Sequence, residues 1–485
     1  MIGILIIMNQ KVSLRRTTVI SVSLVAFLVG LFSVKYVNFG LPVVLAVGLL
    51  GAFFVLRRNS VVMLILACLS GLTLGMWRGQ HMLVQVLQYN KYIGSKVVMT
   101  GRVQDDPVYD SKGRQDFRIS SVKLDGQSMA GQVRIKTHTN GLRRGDLVQV
   151  YGRLTDGFGN YQASMYFAEA SLVSHPNNPI ESLRRKFFAS VYSVLPEPQA
   201  SLGLGFLVGL RSALPDDFDK QLQIAGLTHI VVASGFNLTI LVRLSRRLLA
   251  KYSRYQALVG SMLLVSMFLA VTGASASMVR ASVVTVLSLL AWQYGRRFQP
   301  VMIVLLGAVL TAGFNPLFIW FDIGWWLSFL AFAGVLILAP LLTARYFGKK
   351  SPPLLLQVAV ETLSAQVMAV PLILFTFGNL SLVALLANIV VVPLIPIAML
   401  ATFVAGVAGL ALSGGLAAWL AVPAQLVLSY VVAATRFFAQ PSWAQRSFHI
   451  GAITMTALYV AISVIVIVLR KRSGLEPNKL PSVVE

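Results

Sequence analysis

The chain has 485 residues, of which 56% are hydrophobic and only 12% charged; 41 Lys plus Arg face 17 Asp plus Glu. A soluble chain carries about 25% charged residues, so this composition excludes an ordinary soluble protein and implies a polytopic membrane protein. The net charge of +24 comes in part from basic residues held in cytoplasmic loops; the remainder permits an anionic partner, nucleic acid or acidic lipid. One cysteine, Cys68, leaves no internal disulfide and no Cys-rich metal site. His81, His138, His175, His229 and His449 are scattered, with no H-x-H or H-E-x-x-H cluster. No metal site and no cofactor are expected.

Three apolar segments come first, about Thr17–Val34, Gly40–Leu56 and Val61–Trp77. They form an N-terminal membrane segment over residues 1–80. Lys11, Arg15 and Arg16 precede the first segment, and Arg57 and Arg58 separate the second from the third. The positive-inside rule makes both clusters cytoplasmic, so the chain leaves the third helix on the far side. Ser33, Lys35 and Tyr36 make a poor signal-peptide cleavage site, so the first helix is expected to be retained.

Hydropathy then falls, and residues 95–175 alternate with period two. Lys96–Val103, Asp116–Leu124, Gly131–Lys136, Asp146–Gly152 and Met165–Val173 read as strands. Five short strands in this length predict a small closed, OB-like β-barrel outside the cytoplasm. Such barrels often bind single strands through basic grooves and aromatic platforms. The candidate DNA-binding residues are Arg134, Lys136, Arg143, Arg144 and Arg153. The aromatics Tyr109, Phe117, Tyr151, Phe158, Tyr161, Tyr166 and Phe167 are expected mostly to pack the barrel. Residues 178–195, with Arg184, Arg185 and Lys186 beside an apolar patch, predict an interfacial helix that meets lipid.

A second membrane block fills residues 200–470, ahead of a polar tail at 471–485. Its predicted spans are Gly226–Val242, Gln256–Thr272, Met278–Tyr294, Val301–Gly313, Trp325–Leu342, Leu354–Phe377, Ser381–Leu412, Gly415–Ala434 and His449–Leu469. The whole chain would then hold about 11–13 transmembrane segments. The basic groups Arg243 to Arg254, Arg296–Arg297 and Arg345 to Lys350 fall where cytoplasmic loops are expected. Pro393 and Pro396 predict one broken or re-entrant element over Ser381–Leu412.

Polar groups inside spans mark pathways by default. Four blocks carry them. The first is Gly226-Leu-Thr-His-Ile-Val-Val-Ala-Ser-Gly-Phe-Asn237, where one helix would bring His229 and Asn237 nearly onto one face. The second is the small-residue run around Arg280. The third runs from Asn315-Pro316 through Asp322 to Ser328-Phe329, with Asp322 a partner for Arg280. The fourth holds Glu361, Gln366 and Asn388. His229, Ser234, Gly235, Asn237, Arg280, Asp322, Ser328, Glu361, Gln366 and Asn388 are the candidate lining or gating residues. Helix–helix hydrogen bonding and snorkelling are the competing readings.

These blocks resemble the ComEC competence proteins, the inner-membrane channels for DNA uptake. The family motif G-L-T-H-x5-S-G reads Gly226–Gly235 here; the R-A segment is Arg280-Ala281. N-P…D-x-G-x-x-L-S-F reads Asn315-Pro316 with Asp322 to Phe329, and P-L…F-G…S…N…V-P runs from Pro371 to Pro393. Three N-terminal spans and an OB-like barrel match the family layout. Many relatives have S-G-x-H where this chain has Asn237. Larger relatives end in a metallo-β-lactamase-like domain; this chain ends shortly after Arg472 without H-x-H-x-D-H, so another protein is expected to degrade the non-transported strand.

The resemblance implies a channel for single-stranded DNA in the bacterial cytoplasmic membrane, and no enzymatic activity. Expected partners are single-stranded DNA, membrane lipids, a DNA receptor outside and a cytoplasmic ATPase or DNA-binding protein, because the chain has no G-x4-G-K-[ST] loop. The alternatives are an exporter of another polymer, a lipid or a peptide, and an intramembrane serine hydrolase using Ser234 with His229. The hydrolase lacks the leading glycine of a G-x-S-G elbow and a nearby orienting acid.

Overall fold

A computed structural model of the protein describes residues 16–36, 60–109, 113–124, 126–157, 161–176, 179–210, 213–231, 235–249, 251, 253–273, 276–294, 300–348, 352–412 and 414–473. The predicted span Gly40–Leu56, the basic pairs Arg57–Arg58 and Arg296–Arg297, Phe158, Ser234, Lys349–Lys350 and most of the polar tail lie outside the described residues.

The helices in chain order are α1 (Arg16–Ser33), α2 (Ser60–Leu87), α3 (Pro179–Val194), α4 (Gln199–Val208), α5 (Asp216–Ile224), α6 (Thr228–Val231), α7 (Gly235–Leu249), α8 (Arg254–Thr272) and α9 (Ala276–Gln293). Then come α10 (Pro300–Phe314), α11 (Leu317–Phe321), α12 (Ile323–Ala333), α13 (Ala339–Phe347), α14 (Leu354–Thr376), α15 (Ala384–Val391), α16 (Ile395–Ala411), α17 (Gly415–Ala439) and α18 (Ala452–Ser473). Among the described residues, seven helical stretches are long and apolar enough to cross a bilayer. Shorter apolar helices cover Thr17–Ser33, Gln199–Val208, Ser277–Gln293 and Val301–Phe314. About 20 residues suffice for one span, and the protein is a multi-pass helical membrane protein with an inserted barrel. It divides into two compact units, residues 1–176 with 302–326, and residues 177–301 with 327–485.

In the first unit α1 and α2 pack with their backbones in contact. A Cβ on Gly30, Gly71 or Gly75 would overlap a carbonyl oxygen of the facing helix, the small-residue packing that replaces hydrophobic drive in lipid. Trp320 Nε1 donates to the Leu31 carbonyl (2.9 Å), and Arg78 donates to the carbonyls of Gly313 and Phe314, both at 2.8 Å. Those are orphan acceptors at the C-terminus of α10, so a cation from α2 caps a neighbouring helix.

The barrel strands are β1 (Lys96–Val103), β2 (Gln115–Leu124), β3 (Val133–Thr137), β4 (Leu147–Asp156) and β5 (Ala163–Ser174). β1 pairs with β2 and β4, β2 with β3, and β4 with β5, all antiparallel; β3 pairs with β5 in parallel. The ring closes in the order 1-2-3-5-4, a five-stranded OB-like barrel without free edges. Alternate residues fill it: Met99, Ile119, Val133, Ile135, Val148, Val150, Leu154 and Met165 are all fully buried. The aromatics depart from expectation, because among those described only Phe117 joins the core. Tyr151, Tyr166 and Phe167 are exposed. Phe167 has φ 60 and sits where the β4–β5 and β3–β5 registers both shift. The extra bulge residue turns its ring outward.

The second unit is built around α4, of which every residue from Ala200 to Val208 is buried. No span is predicted there from hydropathy. Gly203 packs against Thr402, so α16 approaches α4 closely. The predicted span Gly226–Val242 opens on a turn, because Gly226, with φ +72, redirects the chain after α5; helix is then described over α6 and again from Gly235 along α7, with residues 232–234 outside the described residues. A β-branched or larger residue would strain such a left-handed position. Over Ser381–Leu412 a short strand pair, Asn379–Ser381 with Gln445–Ser447, leads into one continuous helical stretch, Ala384–Ala411, in which α15 and α16 join through a 3-10 turn at Val392–Leu394 containing Pro393; the expected break is only a local tightening of the helix. A π-helical turn, Gly334–Leu338, joins α12 to α13.

Candidate functional site

The first polar block divides between two short elements. His229, on α6, keeps an exposed side chain, whereas Asn237, on α7, is 0% exposed. Asn237 Nδ2 donates to the Phe206 carbonyl at 2.8 Å, linking α7 to α4. His229 thus lies on α6 and Asn237 on α7, to either side of residues 232–234. Ser234 lies outside the described residues.

α7 and α9 run parallel. A Cβ on Gly235 would lie 3.0 Å from the Ala281 Cβ; farther along both helices the Arg246 guanidinium lies 4.3 Å from the Trp292 ring centroid. Both helices advance eleven residues between these contacts, 235 to 246 and 281 to 292, a rise of about 16 Å. A cleft opens between them beyond the Gly235 contact. Thr239, Arg243 and Arg246 line it from α7, Thr285 and Ser288 from α9, with Phe332 beside them.

Arg280 stands next to that contact and is 3% exposed. Its Nη2 donates to the Ser328 hydroxyl on α12 at 3.2 Å. A cation this deep in a membrane bundle is costly unless its donors are engaged. Asp322 belongs to the first unit. It is 6% exposed, and its Oδ1 accepts the Trp325 amide at 3.1 Å, the geometry of an N-terminal cap on α12. Trp325 Nε1 donates to the Thr311 hydroxyl (3.1 Å) and Trp326 Nε1 to the Ile319 carbonyl (3.0 Å). The aromatic cluster of the third block is thus bonded to its own unit.

On α14, Glu361 is half-buried and accepts from Gln357 Nε2 one turn away (2.9 Å); Gln366 is also half-buried. Ser364, between them, was not singled out in the sequence. It is fully buried, and its carbonyl is where Gly334 of the π turn makes its closest approach. Among the described residues the Ser364 hydroxyl and the Asn388 Oδ1 are buried polar atoms without a hydrogen-bond partner. Asn388 sits on α15 one turn after Ala384, whose Cβ packs against Gly226. The start of α15 in the fourth block therefore meets the Gly226 turn that opens the first. Ser381 reinforces this join by donating to the Ile224 carbonyl (2.7 Å).

The basic residues of the barrel fall into two groups. Arg134 is bonded through Nε and Nη2 to the Asp116 carboxylate, Lys136 Nζ lies 3.4 Å from it, and Arg118 pairs with Asp105. The hydrogen bonds to Asp116 hold the Arg134 guanidinium above its ordinary range. Arg134 also lies over the Tyr161 ring at 5.7 Å, and Arg114 over Phe167 at 5.0 Å. Arg143 and Arg153 are exposed elsewhere; Arg153 Nε donates to the Gly94 carbonyl (3.0 Å), and Arg144 is half-buried. β2, β3 and the loop before β5 therefore carry cations, aromatics and carboxylates together, on the strands that serve as the ligand face in barrels of this topology.

No solved structure matches the chain. ComE operon protein 3 of Bacillus subtilis (strain 168) is 25% identical over 245 residues, which cover 50% of this chain and 31% of that protein. The aligned part of this chain thus spans about a third of that relative's length. The family model described as Competence protein matches residues 206–473, from the end of α4 to the end of α18, more than half of the chain. The matched stretch holds all four polar blocks, and the chain belongs to the Competence protein family.

Proposed function

We propose that this protein takes part in DNA uptake and conducts a single strand of DNA across the bacterial cytoplasmic membrane during natural transformation. The observation that carries this reading is the family match over residues 206–473, the segment in which α15 packs against the Gly226 turn and Arg280 is buried. Non-helical backbone at membrane depth is tolerated where it is buried in protein or lines a cavity, and a polyanion crossing hydrocarbon needs cations and dipoles along its route. His229, Ser234, Gly235, Arg280, Ser328, Glu361, Gln366 and Asn388 are the proposed lining or gating residues. Asn237 holds α7 against α4, and Asp322 caps α12. The barrel would receive the strand outside the membrane, with a DNA receptor there and an ATPase or DNA-binding protein in the cytoplasm.

The chain acts as a conduit rather than a catalyst in this reading. A Ser234→Ala variant separates it from a serine hydrolase. Uptake is expected to be reduced but not abolished by the substitution, and a serine-reactive phosphonate is expected to leave position 234 unlabelled. Labelling of Ser234 together with complete loss of function in a well-expressed variant would favour the hydrolase.

A further inference from the structure

We infer that the aromatic row at the outer end of α1 is a stacking platform for the bases of a single nucleic-acid strand, on which Phe32, Tyr36 and Trp326 receive the strand after the barrel. This rests on the reading of the protein as a DNA conduit and names a contact within it.

All the residues concerned belong to the first unit. The positive-inside rule puts the C-terminal end of α1 on the same side as the barrel. There Tyr36 packs on Phe32 with ring centroids 5.5 Å apart, Phe32 meets Trp326 edge to face at 6.0 Å, and Trp326 meets Trp325 edge to face at 5.1 Å. Hydrogen bonds fix the row. Trp320 Nε1 donates to the Leu31 carbonyl and Trp326 Nε1 to the Ile319 carbonyl, so both indole N–H groups are used within the protein and π-surface is what the row offers. Phe32, Tyr36 and Trp326 are exposed, whereas Trp320 and Trp325 are buried. Every base has a π-face, so exposed rings in series suit a strand of any sequence.

Charge points the same way. The Lys35 ammonium lies 4.6 Å from the Phe321 ring centroid and 6.0 Å from that of Tyr36, a cation held among the rings. Asp322 is the only acidic residue in residues 16–36, 60–91 and 302–326, and its Oδ1 accepts the Trp325 amide. The carboxylates that act on the Arg118 guanidinium of β2 are Asp105, its hydrogen-bond partner, and Asp322. The residue that caps α12 therefore lies within electrostatic reach of β2, the neighbour of β3 with its Arg134 and Lys136. The basic face of the barrel and the aromatic row adjoin within one unit, and a strand leaving the first meets the second. Tyr and Trp at the end of a span also anchor helices in the lipid interface. Here the rings form one continuous row with a cation set in it and a basic strand nearby, which a lipid anchor does not require.

The test uses the full chain in neutral-lipid nanodiscs and two fluorescein-labelled ligands of equal length and charge, an oligothymidylate and an abasic oligonucleotide, titrated by anisotropy over a range of salt. The wild-type chain is expected to bind the oligothymidylate about tenfold or more tighter than the abasic ligand, the effect of one or more base stacks. The Tyr36→Leu/Trp326→Leu variant is expected to lose that preference. Its affinity for the abasic ligand and its salt slope are expected to stay at the wild-type values, because no phosphate contact is removed. The Tyr36→Phe/Trp326→Phe variant also loses the Trp326 bond to Ile319 but keeps the rings; it controls for folding and is expected to retain most of the preference. Equal affinity of the wild-type chain for the two ligands, or an equal loss for both ligands in the leucine variant, would overturn the platform. Discs of brominated phosphatidylcholine read lipid contact as quenching of the Trp326 emission, taken as the difference between the wild-type chain and Trp326→Phe. Quenching that the oligothymidylate does not relieve would assign the rings to lipid and also overturn the platform. In cells, normal transformation by the leucine variant in a strain that depends on this protein removes the aromatic row from the route while leaving the conduit reading intact. Normal transformation of the strain lacking the protein instead removes the conduit reading itself.

Discussion

Arg280 donates to the Ser328 hydroxyl across 3.2 Å, a buried cation on α9 anchored to α12. A hydrogen bond to a charged group contributes about 1.5–3 kcal/mol. Arg280→Gln is therefore expected to cut DNA uptake about tenfold or more while the protein still accumulates in the membrane. Ser328→Ala, which removes one acceptor and keeps the charge, is expected to have a smaller effect in the same direction. Transformation frequency, normalised to protein level by immunoblot, checks both. Unchanged uptake in a well-expressed Arg280→Gln strain would take Arg280 off the route.

Gly235 and Ala281 set the separation of α7 and α9. Gly235→Leu is expected to force the helices apart and destabilise the second unit by about 1–3 kcal/mol, the usual cost of overpacking. Gly235→Ala is expected to be milder, and Ala281→Gly should suppress it, since the two side chains would then no longer compete for one space. Thermal unfolding in detergent of the two single variants and the double variant gives the coupling directly; additive effects would mean the helices do not meet at this point.

Arg78 caps the C-terminus of α10 through two carbonyls. Arg78→Ala is expected to expose both acceptors and lower the stability of the first unit by about 1.5–3 kcal/mol. Hydrogen exchange followed by mass spectrometry should show faster exchange in residues 302–314 than in the barrel. Uniform protection would contradict the capping role.

Asp116 competes with any phosphate for Arg134 and Lys136. Asp116→Asn is expected to raise the affinity of the purified protein for single-stranded DNA at low salt and to steepen the salt slope by about 0.7 for each cation released. Arg134→Gln should weaken binding. No detectable binding at low salt in wild type and Asp116→Asn alike would reduce the barrel to a scaffold.

The barrel was legible because period-two alternation between turn residues needs no partner to be seen, and the predicted strands lie within a few residues of β1–β5. Its exposed aromatics were not legible: Phe167 faces outward because a bulge shifts the β5 register, a tertiary event with no local mark. Long apolar helices such as α8, α14 and α17 followed from hydropathy alone. α4 escaped notice because ten residues are too short to span a bilayer, yet its all-round apolar surface is the mark of a buried helix. Gly226 carried the signal for the turn that opens the first polar block, but glycines also serve close helix packing, as Gly203 does against Thr402. The partnership of Asn237 with the Phe206 carbonyl depends on α4, so it could not be read before that helix was placed.

The account's central claim is tested most directly by giving DNA labelled on both strands to a strain lacking this protein and to the same strain carrying it, then following label into the cytoplasm. The account predicts that single-stranded label reaches the cytoplasm only when the protein is present, and that Arg280→Gln arrests it at the outer face of the membrane. Equal arrival of label in both strains would contradict it.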